Sequence, residues 1–282
     1  MEMKLASVIV TYHPNLSEVI DNLATYSDHV EVLMLWDNTE DYLDLTPLLQ
    51  AYPNVVVHQS LRNEGLPAAY NWAFQKAKEY GCTHLMTMDQ DSAFERFSAY
   101  RAWLGKKVEP CVTGIPINEG GRFEEEETKI GTVCQSGAVF PVEMQERIGG
   151  FREDLFIGMV DAEMSLRAAE NGYAIIQYNG SNLKHKVGSG RKVRLLGHSL
   201  LVSDYNPLRH YYDSRNRILL WHEFPDDYNL MAKMRHLLGR VKLIVKIILF
   251  ESNKWAKVSA IIKGTCYGFR NRAVPYKDKR KQ

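Results

Sequence analysis

The sequence predicts an α/β fold with a mainly parallel sheet, flanking helices, and a C-terminal group of amphipathic helices. Three observations predict it. Short apolar runs rich in β-branched residues lie at 5 to 11, 30 to 36, 55 to 57 and 83 to 88, each the length of a strand. Segments with helical spacing separate them, the pattern of βαβ units. After residue 230 the apolar residues recur at helical spacing with Lys and Arg between them.

Length and composition frame this reading. A chain of 282 residues, 45% hydrophobic and 24% charged, fits one large domain with an appendage. We expect a catalytic-type α/β domain over 1–222 and a basic helical appendage over 223–282. The four cysteines, Cys82, Cys111, Cys134 and Cys266, form no C-x-x-C pair. That spacing argues against a zinc site or a disulfide framework, and a reducing cytoplasm is the expected location. Met1-Glu2-Met3-Lys4 runs straight into the first strand without a signal-peptide pattern. The apolar run Leu243 to Phe250 is interrupted by Lys246 and is too short to span a bilayer. The net charge of +1 hides an asymmetry. Residues 233 to 282 carry 14 Lys and Arg against 2 acidic residues, a net +12 that leaves −11 for the rest. Such a tail suits an anionic partner, a membrane surface or a nucleic acid, and its amphipathic helices equally suit covering the α/β domain with their charge turned to water.

Each element follows from local chemistry. Leu5 to Thr11 lacks polar alternation, as in a strand buried on both faces. Tyr12-His13-Pro14-Asn15 turns the chain, and Leu16, Val19, Ile20 and Leu23 open a helix with Asn15 or Ser17 as its cap. Val30 to Trp36 ends in Asp37-Asn38-Thr39; a short helix near 43 to 51 precedes Val55-Val56-Val57. In Asn63-Glu64-Gly65-Leu66-Pro67, Pro67 suits a first helical turn. Ala69, Ala73 and Ala77 then make a small-residue face for close packing. This arrangement places Tyr12, Asp37, Asn63 and Asp89 along one sheet edge.

The run Leu85-Met86-Thr87-Met88 ends in Asp89-Gln90-Asp91. In an extended chain Asp89 and Asp91 point to the same side. Paired hard oxygen ligands suit Mg2+ or Mn2+ with a phosphate ester, at the carboxyl end of a parallel strand. A solvated Asx-type turn is the plain alternative for so short a pattern.

Several motifs in order resemble the family 2 inverting glycosyltransferases of the GT-A fold, a Rossmann-like, mainly parallel sheet. They are Ser7-Val8-Ile9-Val10-Thr11-Tyr12, Asp37-Asn38, Asn63-Glu64-Gly65-Leu66 with Ala69 and Asn71, and Asp89-Gln90-Asp91. Ser136-Gly137-Ala138-Val139-Phe140, Gly149-Gly150-Phe151 and Asp154-Leu155-Phe156-Ile157 follow. Next come Val160-Asp161-Ala162-Glu163 with Leu166-Arg167, then His185-Lys186-Val187-Gly188, Tyr211-Tyr212 and Arg215-Asn216. The wording is closest to the rhamnosyltransferase-like branch, over about residues 5 to 220.

The resemblance implies roles. Asp91 is the firmer metal ligand, and Asp89 reaches the ribose or the metal through water. Asp37 lies near the nucleotide base and Tyr12 near the nucleoside, with helix capping and core packing as their plain alternatives. Thr11, Asn63, Gly65, Asn71, Ser136 and Gly137 belong to the donor-binding motifs. Asp161 is the catalytic general base. Glu163 orients the loop or acceptor, or else forms an i,i+4 ion pair with Arg167. His185, in the basic loop Lys184 to Gly190, is a further metal or phosphate ligand, and Arg215 contacts the diphosphate or lies on a helix surface. Gly158 departs from relatives that carry an acidic residue there. Glu124 to Glu127 is expected to be a solvated loop.

The implied activity is transfer of a sugar, rhamnose from dTDP-rhamnose, to a hydroxyl of a growing cell-surface glycan of O-antigen or capsule type. The partners are a nucleotide-sugar donor, a lipid-linked glycan acceptor and an anionic membrane surface on the cytoplasmic face; no nucleic acid is expected. The same class with a UDP-hexose, UDP-N-acetylhexosamine or galactofuranose donor is the alternative. A nucleotidylyltransferase would need a glycine-rich phosphate loop where Tyr12-His13-Pro14-Asn15 stands. A non-catalytic nucleotide- or nucleic-acid-binding module would have no need of Asp89, Asp91 and Asp161 together.

Overall fold

The structure, a computed structural model, describes residues 2–118, 124–185, 191–195 and 198–276. Two compact units divide it: Met1–Glu153 with Val160–Lys186, and Asp154–Met159 with Val187–Gln282.

The first unit opens as the sequence predicts. β1 (Leu5–Thr11), α1 (Leu16–Leu23), β2 (Val32–Asp37), α2 (Thr46–Ala51), β3 (Val56–Gln59), α3 (Leu66–Glu79) and β4 (His84–Asp89) alternate along the chain. Their strands lie parallel in the order β3-β2-β1-β4. Every residue of β1 is buried, which explains its unbroken apolar run. Register sets the edge: Thr11 stands opposite Asp37, and Val10 opposite Asp89. The carboxyl ends of β1, β2 and β4 therefore finish level.

The remainder of this unit adds β5 (Ser92–Glu95), α4 (Phe97–Leu104), β6 (Cys111–Gly114), β7 (Glu127–Lys129), β8 (Ala138–Pro141), α5 (Val142–Ile148), α6 (Val160–Glu170), β9 (Ala174–Tyr178) and β10 (Asn182–His185). The sheet reads β3-β2-β1-β4-β8-β6-β9-β7, with β8 antiparallel to β4 and to β6. β5 and β10 form a separate antiparallel ribbon that sets Ser92 opposite His185. Ile9, Leu35, Met86 and Val139 fill the core with Leu23, Tyr26 and Tyr100. Each such side chain contributes roughly 1.5–3 kcal/mol by leaving water. Ala69, Ala73 and Ala77 are fully buried, so the small face of α3 does pack closely.

One expectation changes. Glu124 to Glu126 are exposed, but Glu127 begins β7 and accepts a hydrogen bond from Trp103 Nε1 at 3.1 Å. Lys107 pairs with the same carboxylate. A strand-forming partner across the sheet, Tyr178, drew it out of the loop.

The second unit holds β11 (Arg191–Leu195) and β12 (His198–Val202), then α7 (Pro207–Glu223), α8 (Leu230–Phe250) and α9 (Lys254–Phe269). Asn206 and Asn229 cap α7 and α8, accepting from the Arg209 and Ala232 amides at 2.8 and 2.9 Å. Tyr211 and Tyr212 of α7 pack with Ala260 of α9. The boundary expected after residue 222 thus falls at the end of α7, inside this unit. Lys257, almost wholly buried, is neutralised by Glu251 at 3.0 Å and by Asp204.

Candidate active site

The acidic cluster is built by a turn, and this corrects the extended-chain argument. Asp89 is the last residue of β4, Gln90 and Asp91 turn the chain, and Ser92 starts β5. The carboxylates still converge. One ligand atom each from Asp89, Asp91 and His185 lies within 4.8 Å of the others. His185 reaches this place because β10 pairs with β5: its Nδ1 sits 2.8 Å from Ser92 Oγ and 3.3 Å from Asp91 Oδ1. Asn118 grips the same backbone, donating to the His185 carbonyl at 2.5 Å and accepting its N–H at 2.9 Å. Two carboxylates and an imidazole form a donor set that fits a small hard divalent cation such as Mg2+ or Mn2+.

Gln90, between the two aspartates, was not singled out from sequence. Its amide accepts the Tyr12 N–H at 2.7 Å and donates back to the Tyr12 carbonyl at 3.3 Å, while Asn22 holds its backbone carbonyl at 2.8 Å. It fastens the end of β1 to the end of β4. Ser136 accepts the Asp89 N–H at 3.1 Å. Gly137, at φ +78°, donates its N–H to Thr87 at 2.9 Å, and a Cβ there would press on Ile115 at 3.1 Å. Both motif residues therefore shape the backbone under Asp89.

At the carboxyl end of β2, Asp37 is completely buried. Its Oδ1 accepts from Thr11 and Thr39 hydroxyls, both at 2.8 Å, while Oδ2 has no hydrogen-bond partner among the described residues. A buried acceptor left open calls for a donor from a ligand or water. Tyr12 is 41% exposed beside it and donates its hydroxyl to Glu40 at 3.1 Å; burial and that carboxylate push the phenol upward. Asn63 accepts the Gly65 N–H at 3.0 Å, and Gly65, at φ +84°, takes the conformation that starts α3. Asn38 donates to the Gly65 carbonyl at 3.0 Å and accepts from Trp36 Nε1 at 2.9 Å.

Asp161 lies in the first turn of α6 and accepts the Ala162 N–H at 2.9 Å. Its charge is felt where Asp89's is. Burial first, then Asp89 and Asp161, hold the Tyr70 phenol well above its ordinary range. Cys134 reaches solvent, yet enough protein surrounds its thiol that desolvation, then Asp161 and Asp89, push it up to about 11. Both carboxylates therefore lie near Tyr70 and Cys134. Tyr70 is fully buried and its hydroxyl has no hydrogen-bond partner among the described residues. Sequence reasoning missed Tyr70 and Cys134; the only available signal was Tyr70's place one residue before Asn71.

Three expected site residues have their polar atoms engaged in the fold. Asn71 donates to the Phe151 carbonyl at 2.9 Å and accepts the Phe151 N–H at 2.7 Å, closing the Gly149-Gly150-Phe151 turn. Glu163 is fully buried and forms a two-pronged pair with Arg167, at 2.7 and 3.0 Å, the i,i+4 alternative. Arg167 also donates to the Ile148 and Gly150 carbonyls. Arg215, in the second unit, is fully buried, stacks over Tyr212 at 4.6 Å, and donates to the Asp154 and Val274 carbonyls. That geometry differs from both expectations, a diphosphate contact and a surface arginine. Asn216 beside it donates to the carbonyls of Leu155, Ile157 and Gly158 at 2.8 to 3.0 Å, fixing a loop in which Phe156, Gly158 and Met159 have positive φ. The basic loop at 186 to 190 lies outside the described residues.

Comparison with known proteins bears out the resemblance. A scan of family models finds no match. The chain is 26% identical over 295 residues to dTDP-rhamnosyl transferase RfbF of Shigella flexneri, covering 96% of this chain and 97% of that one. Its fold is similar to GalNAc-T7 solved with UDP, GalNAc and Mn2+, at TM-score 0.59, 17% identity and 80% of this chain. The chain has the GT-A fold of glycosyltransferases. It spans about half, 49%, of the GalNAc-T7 chain. It is also similar to S. aureus TarS 1-349 in complex with UDP-GlcNAc, at TM-score 0.55 and 14% identity, over 96% of this chain and 88% of that one. Within the GT-A fold the level strand ends of β1, β2 and β4 are where an open α/β sheet binds its ligand.

Proposed function

We propose that this protein is an inverting glycosyltransferase that moves rhamnose from dTDP-rhamnose to a hydroxyl of a growing cell-surface glycan, of O-antigen or capsule type and carried on lipid. One observation carries the reading. Asp89, Asp91 and His185 form a cation-type donor set at the carboxyl edge of the parallel strands, and Asp161 acts on the same Tyr70 and Cys134 as Asp89. The rhamnosyl donor is supported by the likeness to RfbF. UDP-sugars are the second reading, supported by the UDP named for GalNAc-T7 and the UDP-GlcNAc named for TarS. The cytoplasmic face of a membrane is the proposed place of action; among the described residues no helix is long and apolar enough to cross one.

In this reading the open Oδ2 of Asp37 accepts the N3–H of the base. Thymine and uracil share that edge, so Asp37 accepts either. Tyr12 lies along the nucleoside. Asp91, Asp89 and His185 would hold Mg2+ or Mn2+, which supplies Lewis-acid stabilisation of the diphosphate leaving group. Asp161 removes the proton of the acceptor hydroxyl as its oxygen attacks the anomeric carbon from the face opposite the leaving diphosphate. Asn71, Glu163 and Arg215 act as positioning residues in this scheme.

Thermal shift with dTDP-rhamnose, dTDP, UDP and UDP-GlcNAc, each with and without Mn2+, tests the donor, because a ligand of the folded state raises its stability. Metal-dependent stabilisation by dTDP-rhamnose above the UDP compounds is expected. The reverse order would move the assignment to a UDP-sugar, and no response to any nucleotide would overturn it. Asp91→Asn should lose metal-dependent donor binding, whereas Asp161→Asn should keep it and lose transfer by ~100-fold or more. Equal loss of donor binding in both would overturn the division of roles.

A further inference from the structure

Helix α8 has two apolar faces, and only one is covered. Leu237, Leu243, Ile244 and Ile247 are partly or fully buried. On the other side Met231, Met234, Leu238, Val241, Val245 and Ile248 recur at intervals of three and four residues, each between 41% and 65% exposed. An ordinary surface helix turns polar side chains outward. This stripe extends over most of a 21-residue helix. It is bordered along one edge by Arg235 and Lys242, seven residues apart, with Lys246 one turn further on the same edge. Neither α8 nor α9 contains a single Asp or Glu. Trp255, 79% exposed, opens α9 a few residues beyond the stripe.

The charge pattern selects the partner. The stripe's spacing would also suit a coiled coil with a second copy, but such pairs are set by opposite charges on the flanks, and here every flanking charge is positive. Nucleic acid would attract the basic residues and leave the apolar stripe in water. A bilayer-spanning role is excluded for α8 by its hydropathy. An anionic lipid surface satisfies both halves: apolar side chains enter the acyl boundary while Lys and Arg on long stems reach phosphate oxygens, with an interfacial Trp beside them.

We propose that the outward face of α8 is a membrane-docking surface that lies in the plane of an anionic leaflet. The inference concerns a surface separate from the sugar chemistry and stands whatever the donor.

Flotation of the full chain with vesicles tests it. Binding to phosphatidylcholine vesicles containing phosphatidylglycerol, and weak binding to phosphatidylcholine alone, is expected. Leu238→Gln with Val245→Gln should reduce partitioning by more than ~tenfold. Arg235→Gln with Lys242→Gln should reduce binding to the anionic vesicles by about fivefold for each charge removed and leave the weak neutral binding unchanged. All four positions are on the surface of α8, and an unchanged melting temperature confirms that the variants fold. Failure to bind anionic vesicles, or equal binding by the Leu238→Gln/Val245→Gln chain, would overturn the proposal. So would a lipid-free dimer in sedimentation that the same two substitutions abolish, since that result assigns the stripe to a second copy. Retained, salt-sensitive binding to duplex DNA without vesicle binding would assign the basic border to nucleic acid.

Discussion

At the scale of single residues, Asp37 shows how a buried carboxylate can be half satisfied by the protein. Two hydroxyls saturate Oδ1, and Oδ2 has none of the described groups to bond. Asp37→Asn would keep the hydroxyl bonds through the amide oxygen and present an NH2 donor where the base also donates. A hydrogen bond to a charged group contributes about 1.5–3 kcal/mol, so the affinity for dTDP or UDP, measured by calorimetric titration, should fall roughly 10- to 150-fold. The melting temperature of the free protein should hold or rise, because the variant removes an under-solvated charge. A drop in stability with unchanged nucleotide affinity would make Asp37 a structural residue. Tyr70 belongs to the same scale: a phenol buried beside two carboxylates stays protonated and remains a donor without a described acceptor.

At the scale of elements, the second unit depends on how closely two helices approach. A Cβ on Gly264 of α9 would collide with the Tyr211 carbonyl of α7, and one on Gly268 would come 2.9 Å from the Arg215 carbonyl. Backbone cannot step aside as a flexible side chain can. Gly264→Ala should therefore lower the unfolding free energy by about 3 kcal/mol or more, the upper range of overpacking, as read by urea denaturation. Gly239, inside α8, has nothing within 4 Å of its notional Cβ. There the same substitution should stabilise by about 1 kcal/mol through helix propensity alone. Equal effects at the two sites would mean that α7 and α9 are not held by this contact. The β5 and β10 ribbon makes a comparable point for the site, since strand pairing is what carries His185 to the aspartates.

For the molecule as a whole, the partly buried His84 and His236 and the buried His210 set the acid limit. Burial, with help from Arg101 for His84 and from Arg240 and Arg217 for His236, pushes both down to about 4; burial does the same for His210. In the unfolded chain they titrate near the ordinary 6.5. Between those values the unfolded chain binds protons that the folded chain does not, so stability falls as pH drops from about 6.5 toward 4 and is fully present above that window. Chemical denaturation at neutral pH and at about pH 5 should show this loss, and His84→Gln with His210→Gln should flatten it. A pH-independent midpoint across the window would contradict the assignment.

Strand and helix order as far as β4, the parallel half of the sheet and the edge bearing Tyr12, Asp37 and Asp89 were legible in the residue pattern, whereas the strands and helices from β5 to β8 were not. So were the Asp-Gln-Asp cluster and the basic amphipathic C-terminus. These rest on local periodicity, on turn chemistry, and on motifs whose residues stand close together in the chain. What only the folded chain decided is which polar atoms remain available. Asn71, Glu163 and Arg215 carry motif identities, yet carbonyls, amides and charges elsewhere in the chain occupy them: Arg215 bonds Asp154 and Val274, each about sixty residues away. Gln90, Tyr70 and the outward stripe of α8 gained their meaning in the same way. A helical repeat can be read from sequence, but which of its two apolar faces meets protein and which meets water depends on partners distant in the chain.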